Sequence, residues 1–137
     1  MEKAACMKPT GCIRWVLGSL IVQALAQQPA PPPLGKLVEV GGHKMHIYRT
    51  GDGGPAVVLE AGAGAFSLDW SLVQTQVARF TTVCSYDRAG HAWSELGPRP
   101  RTRRQAVYDL HRLLLRAGIP GPYVLVGHSL GGMTRPC

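Results

Sequence analysis

The 137-residue sequence contains no asparagine, so N-linked glycosylation is excluded. Acidic residues are scarce, 8 against 15 Lys and Arg, which excludes an acidic disordered chain. Aromatic residues make up only 7%, and none forms a stacking platform among the basic residues. No apolar run reaches the roughly 18 residues that span a bilayer, so no stable membrane anchor is expected. Four cysteines, at 6, 12, 84 and 137, are too few and too scattered for a disulfide scaffold. Cys84, inside an apolar run, reads as a buried strand thiol. No His, Cys, Asp or Glu cluster has metal-ligand spacing, so neither a metal nor a cofactor is expected. What is present, 45% hydrophobic and 17% charged residues, is the composition of one small globular domain.

The first 26 residues read as a segment outside that domain. Lys3, Lys8 and Arg14 lead into the apolar stretch Trp15 to Ala26, which closes on Ala24-Leu25-Ala26. A basic lead, a short apolar core and two small residues flanking one position form the pattern of an export signal. Cleavage is expected after Ala26, with a secreted or periplasmic destination. Residues 27–35 carry consecutive prolines, which lack amide donors and favour extended chain, so they read as a linker. The folded domain is expected over 36–137.

Within it the pattern is a hairpin, then alternating strands and helices. Leu37–Val40 and Lys44–Tyr48 flank Gly41-Gly42, two residues that both tolerate positive φ. Ala56–Glu60 reads as a buried strand. Trp70, Val73, Val77 and Phe80 line up as one face of a helix over Ser67–Phe80. Thr81–Tyr86 is the next strand. Thr102 with Gln105 forms a capping box for a second helix, whose stripe is Val107, Leu110, Leu114 and Ala117 and which ends at Gly118. Tyr123–Val126 is the last strand. Such alternation implies an α/β fold, a hairpin followed by a parallel βαβαβ series with right-handed crossovers.

Directly after the last strand stands Gly127-His128-Ser129-Leu130-Gly131, a G-x-S-x-G pattern. A serine held on a sharp strand-to-helix turn exposes its Oγ, and glycines two positions away on each side remove Cβ atoms that would collide. Strand before and helix after are the context that gives the pattern meaning, with Ser129 as nucleophile. From about Leu37 to Gly132 the chain resembles the N-terminal half of the α/β-hydrolase family, cut short after the nucleophile elbow. Val57 to Ala63 resembles the strand and loop that supply one oxyanion-hole amide, here with Ala61-Gly62 where many members have His-Gly. The resemblance implies backbone N–H donors at Ala63 and Leu130 and, because the donors are main chain, does not require the missing His. Tyr86-Asp87-Arg88-Ala89-Gly90 resembles the Asp-Arg-x-Gly loop of the family, where Asp87 and Arg88 are expected to be structural. The implied activity is hydrolysis of a small carboxylic ester or amide through an acyl-serine, as in esterase, lipase and aminopeptidase-like members.

Other features are weighed against plainer readings. His91 lies on the same rim of the sheet as Ser129 and is a candidate pocket residue, with a solvated loop histidine as the plainer reading. His128 is expected to pack beside the elbow, since neighbouring side chains diverge around a tight turn. His43 and His46 sit by the hairpin, and His111 on a helix facing solvent. Gly62-x-Gly64 with Asp87 downstream mimics a dinucleotide loop, but Ser67 occupies the third glycine position and the elbow would be left unexplained. Arg99, Arg101, Arg103, Arg104, Arg112 and Arg116 punctuate an amphipathic helix, so a solvated face is expected rather than nucleic-acid binding.

A serine nucleophile needs a base and an orienting acid, which in this family follow the serine. The eight residues after Ser129 include neither an acid nor a His. The expectation is therefore an N-terminal portion of a hydrolase, with a non-catalytic binding module on half a fold as the alternative. Tyr123–Val126 would then expose an unpaired edge, inviting self-association. The nucleotide sequence beyond codon 137 should show a continuing frame with an acid and a His at strand ends. Hydrolytic turnover by these residues alone should lie near background in a p-nitrophenyl ester assay. Clear ester turnover that Ser129→Ala abolishes would overturn that expectation.

Overall fold

The computed structural model describes residues 31–133. The expected export signal, the start of the linker and the last four residues lie outside the described residues. From Pro33 onward the chain forms one compact unit.

Five strands form a single mixed sheet in the order β1-β2-β4-β3-β5. β1 (Lys36–Glu39) and β2 (Lys44–Thr50) make the expected antiparallel hairpin. Its turn follows from Gly41 and Gly42, at φ 117° and 96°, whose N–H groups both donate to Glu39 Oε1 at 2.9 and 2.6 Å. Those two hydrogen bonds hold the Glu39 carboxyl below its ordinary pKa. β2 pairs antiparallel with β4 (Val83–Tyr86), and β3 (Ala56–Glu60) pairs parallel with both β4 and β5 (Tyr123–Gly127). The crossovers carry a 3₁₀ turn (Ser67–Trp70) leading into α1 (Ser71–Val77), and α2 (Arg103–Ala117).

Period-two alternation sorts the strand side chains. Met45 and Ile47 of β2, Ala56 and Val58 of β3, and Cys84 and Tyr86 of β4 join Leu110, Leu113 and Leu114 of α2 in one core. Cys84 is fully enclosed there, and burial pushes its thiol up to about 12, which leaves it protonated and inert.

Both helices differ from expectation in the face they bury. The α1 segment turns its expected row to the sheet only in part; Trp70 and Val77 are half-buried, but Val73 is 44% and Phe80 75% exposed. It buries Gln74 instead, whose amide donates to the Tyr48 carbonyl at 3.0 Å and to Thr50 Oγ1 at 3.1 Å. Tyr48 and Thr50 lie in the part of β2 that pairs with β4, opposite Ser85 and Val83, so the Gln74 amide ties the α1 segment to the β2–β4 ladder. In α2 the stripe is centred on Leu113, fully buried, with Leu110 and Leu114, while Val107 is only half-buried. Only half of the capping box forms. Thr102 Oγ1 accepts from Gln105 N at 3.2 Å, but the Gln105 side chain donates onward to the buried Asp109 carboxylate at 2.8 Å. Gly118 ends the helix in the left-handed conformation as expected.

The recentred face makes a testable ranking. Leu113→Ala should cost about 2–5 kcal/mol in urea unfolding and Val107→Ala distinctly less. A larger loss at Val107 would restore the face read from sequence.

Candidate active site

β3 and β5 are adjacent and parallel, with Glu60 opposite Gly127, so the loops that follow them leave the same edge of the sheet side by side. After Gly127 the chain turns at once into a 3₁₀ turn, Ser129–Met133. Ser129 has φ 52°, one of two non-glycine residues with positive φ among the described residues. A left-handed backbone at a residue with a Cβ costs about 1–2 kcal/mol, so the surrounding contacts must impose it. They are visible. A Cβ on Gly127 would stand 2.5 Å from the Gly131 carbonyl carbon and the Gly132 nitrogen, and one on Gly131 would run into the Glu60 carbonyl oxygen. His128 N donates to Glu60 O at 3.1 Å, and Gly131 N donates to His128 O at 2.9 Å. The turn is thus folded on itself and seated on the end of β3. Ser129, the expected nucleophile, is exposed at its tip.

The loop after β3 lies against this turn. Ala61 and Gly62 are buried, and Ala63 is exposed. Gly62 faces the His128 ring, whose Nδ1 would be 2.9 Å from a Cβ there. His128 therefore packs beside the elbow. Ala63 and Leu130, the two expected amide donors, stand on the two adjoining loops. Arg88, just past β4, donates from its two terminal nitrogens to the carbonyls of Ala61 and Gly62. Its Nη1 is also 3.9 Å from Glu60 Oε1. Tyr86 lies in the same cluster; burial, then the charge of Glu60, push its phenol well above the ordinary value.

His91 lines a cavity of about 250 Å³ that also reaches Leu130, Tyr86, Arg88 and Asp109. It is half-buried, and its Nδ1 lies 3.5 Å from the Ala89 carbonyl. Among the described residues no group of three His, Cys, Asp or Glu side chains is placed to hold a metal ion. No side chain among them hydrogen-bonds Ser129 Oγ.

A second serine, histidine and aspartate do meet, on the other side of β4. His46 Nδ1 is 2.9 Å from Asp87 Oδ2 and 3.4 Å from Ser67 Oγ. This is not a relay, because serine and aspartate share one ring nitrogen. The other, Nε2, accepts from Gly35 N at 3.2 Å, which assigns the proton to Nδ1 and the bond to Asp87. Asp87 also accepts from Ser67 N at 2.7 Å, and its carbonyl accepts from Ser94 Oγ at 2.7 Å. The cluster ties β2, β4, the α1 segment and the loop after β4 together, the structural role expected of Asp87. His46, placed by sequence merely near the hairpin, is its buried partner. Burial alone would raise the Asp87 pKa; the hydrogen bonds from His46 and from Ser67 N outweigh it and hold the carboxyl below its ordinary value.

Comparison with known proteins agrees with this architecture. The model of the "Alpha/beta hydrolase family" matches residues 57–134. An enol-lactonase from Burkholderia xenovorans LB400 superposes with a TM-score of 0.67 at 26% identity, covering 72% of this chain and 39% of that one. An epoxide hydrolase from Vigna radiata gives 0.64 at 27% identity, covering 72% and 32%. Among curated proteins, 35% identity over 103 residues links 71% of the chain to 15% of a Hormonema carpetanum protein named "Probable transporter efuK". An "AB hydrolase superfamily protein" of Gibberella zeae is 33% identical over 80 residues, 58% of this chain and 25% of that protein. The strand order, the elbow and the family match place this chain in the α/β-hydrolase family, a family of hydrolases. It spans less than two fifths of the length of each of these relatives.

The Asp87 geometry sets an acid dependence. A folded-state pKa below the unfolded value, about 3.9, adds stability that is complete above that value. It is lost as pH falls through the depressed folded pKa. Urea unfolding across pH 2–7 (roughly the carboxylate range) should therefore show this loss in the wild type. Asp87→Asn should be less stable at neutral pH by about 2 kcal/mol and flatter below pH 4. Parallel curves for the two proteins would refute the assignment.

Proposed function

We propose that this chain carries the nucleophile and oxyanion-binding half of a serine hydrolase acting on small carboxylic esters or amides. The observation that carries the reading is the left-handed Ser129, exposed on a turn whose flanking glycines are packed too tightly for any side chain. Ser129 Oγ attacks the carbonyl carbon, and the carbonyl π electrons move to oxygen. The N–H groups of Ala63 and Leu130 receive that oxyanion. Collapse expels the alcohol or amine and leaves an acyl-serine, which water hydrolyses to the acid and free Ser129. The proton transfers need a His and an acid from outside the described residues. The cavity lined by His91 and Leu130 adjoins the elbow and suits the apolar part of a substrate.

Serine also selects among the chemistries of the relatives. An acyl-serine ester is open to water, as lactone or ester hydrolysis requires. Attack of the same serine on an epoxide would leave an ether, which water does not cleave under enzyme conditions. The reading therefore lies nearer to the enol-lactonase than to the epoxide hydrolases. Export through the amino-terminal signal would place the activity outside the cytoplasm.

Single-event labelling tests the site without turnover. A fluorophosphonate should label Ser129, mapped by peptide mass spectrometry, faster in the folded chain than in urea. Oxyanion donors act on the phosphorus adduct even where the base is missing. Equal rates in the folded and unfolded chain, with a native spectrum in buffer, would overturn the serine hydrolase reading in favour of a non-catalytic binding module.

A further inference from the structure

Glu60 ends β3 on the face where Ala56 and Val58 join the apolar core, and it is itself buried. A carboxylate at such a place is costly unless a positive charge compensates it. Arg88 supplies that charge at 3.9 Å, and only 14% of its own side chain is exposed. Two partly desolvated ions so placed are poor contributors to stability, since packed apolar residues would serve as well. Their arrangement points to another purpose. The two terminal nitrogens of Arg88 take the carbonyls of consecutive residues, Ala61 and Gly62. A planar guanidinium can hold two acceptors at once in a fixed fork; an ammonium cannot.

The held peptide is the one that matters. The Gly62–Ala63 bond is trans, so its C=O and N–H point in opposite directions. Anchoring Gly62 O on Arg88 therefore aims Ala63 N–H away from Arg88. Gly62 cannot resist rotation of that peptide by itself, because it has no side chain. Nor can a bulkier residue replace it, because the His128 ring occupies the space of its Cβ. Within the loop, Gly62 O accepts from Ala65 N–H at a long 3.4 Å, so the firmer hold comes from Arg88. A main-chain donor serves an oxyanion only when its direction is set beforehand.

We propose that Arg88, held in charge balance by Glu60, is the positioning residue that sets the direction of the Ala63 amide. This rests on the reading of Ala63 N–H as an oxyanion donor; the orientation itself does not depend on Ser129.

Two measurements on the full chain, at concentrations where it is monomeric, separate these layers. In amide spectra, Arg88→Met should shift the Gly62 and Ala63 resonances and leave Val57, Val58 and Leu59 in place. Glu60→Gln should do the same more weakly. Unchanged Gly62 and Ala63 resonances in Arg88→Met overturn the proposal whatever the reactivity of Ser129. In fluorophosphonate labelling, Arg88→Met should lower the maximal rate at Ser129 by about 10- to 100-fold. The reagent concentration for half-maximal rate should stay the same, a split that general loosening of the fold would not produce. Arg88→Lys, which keeps the charge without the fork, should not restore the rate. A full labelling rate in Arg88→Met overturns the proposal while the serine reading stands. Loss of fold-dependent labelling in the wild type sinks the serine reading, and the amide spectra still decide the orientation.

Discussion

The backbone of the turn after β5 rests directly on the backbone at the end of β3. Gly131 approaches the Glu60 carbonyl so closely that no Cβ could lie between them, and His128 N–H bonds to the same oxygen. Close approach of this kind needs parallel neighbours in register, which the Glu60–Gly127 pairing provides. It also needs glycine on both flanks of the serine, and it forces Ser129 itself into a backbone region that L residues avoid. The strained serine, the glycine spacing and the strand order are thus three views of one contact. Removing it would relax Ser129 toward an ordinary turn and withdraw its side chain from the rim.

The elements that local chemistry dictates could be read from the sequence. The glycine hairpin, the Thr102 cap, the Gly118 stop and the elbow each depend on residues within a few positions of one another. What could not be read depends on partners remote in sequence. Gln74 is buried against Tyr48 and Thr50 of β2, partners more than twenty positions away that no helical periodicity carries. Leu113 outranks Val107 because of where α2 sits on the sheet. His46 and Asp87 are forty-one positions apart, and only the antiparallel pairing of β2 with β4 brings them together. Ser129, Gly127, Gly131, Leu130 and Ala63 could be named in advance because they belong to a local pattern or a family motif, and His91 because its loop follows a strand end on the same rim of the sheet. Glu60 could not, since a lone carboxylate at a strand end reads equally well as the first residue of a solvated loop.

The two clusters around β4 divide the work by chemistry. On one face Asp87 and His46 join four segments through hydrogen bonds that favour the ionised carboxylate. On the other, Arg88 joins a strand end to a loop. Consecutive residues of one strand end thus serve opposite faces, as the period of an extended chain requires. The turn after β4 is therefore held from both sides of the sheet, although its sequence, rich in small residues, would suggest looseness.

β5 raises a different point. Among the described residues it takes ladder hydrogen bonds from β3 alone, and Val124, Leu125 and Val126 are all well exposed. The segment that aims the serine is thus supported along one margin only, and its local opening free energy is set by a single ladder. Any strand that came to lie along the other margin would raise that free energy before touching the serine. The reactivity of the elbow and the occupancy of a sheet edge then become one linked equilibrium, with the chemistry reporting on assembly several ångströms from the reacting atom.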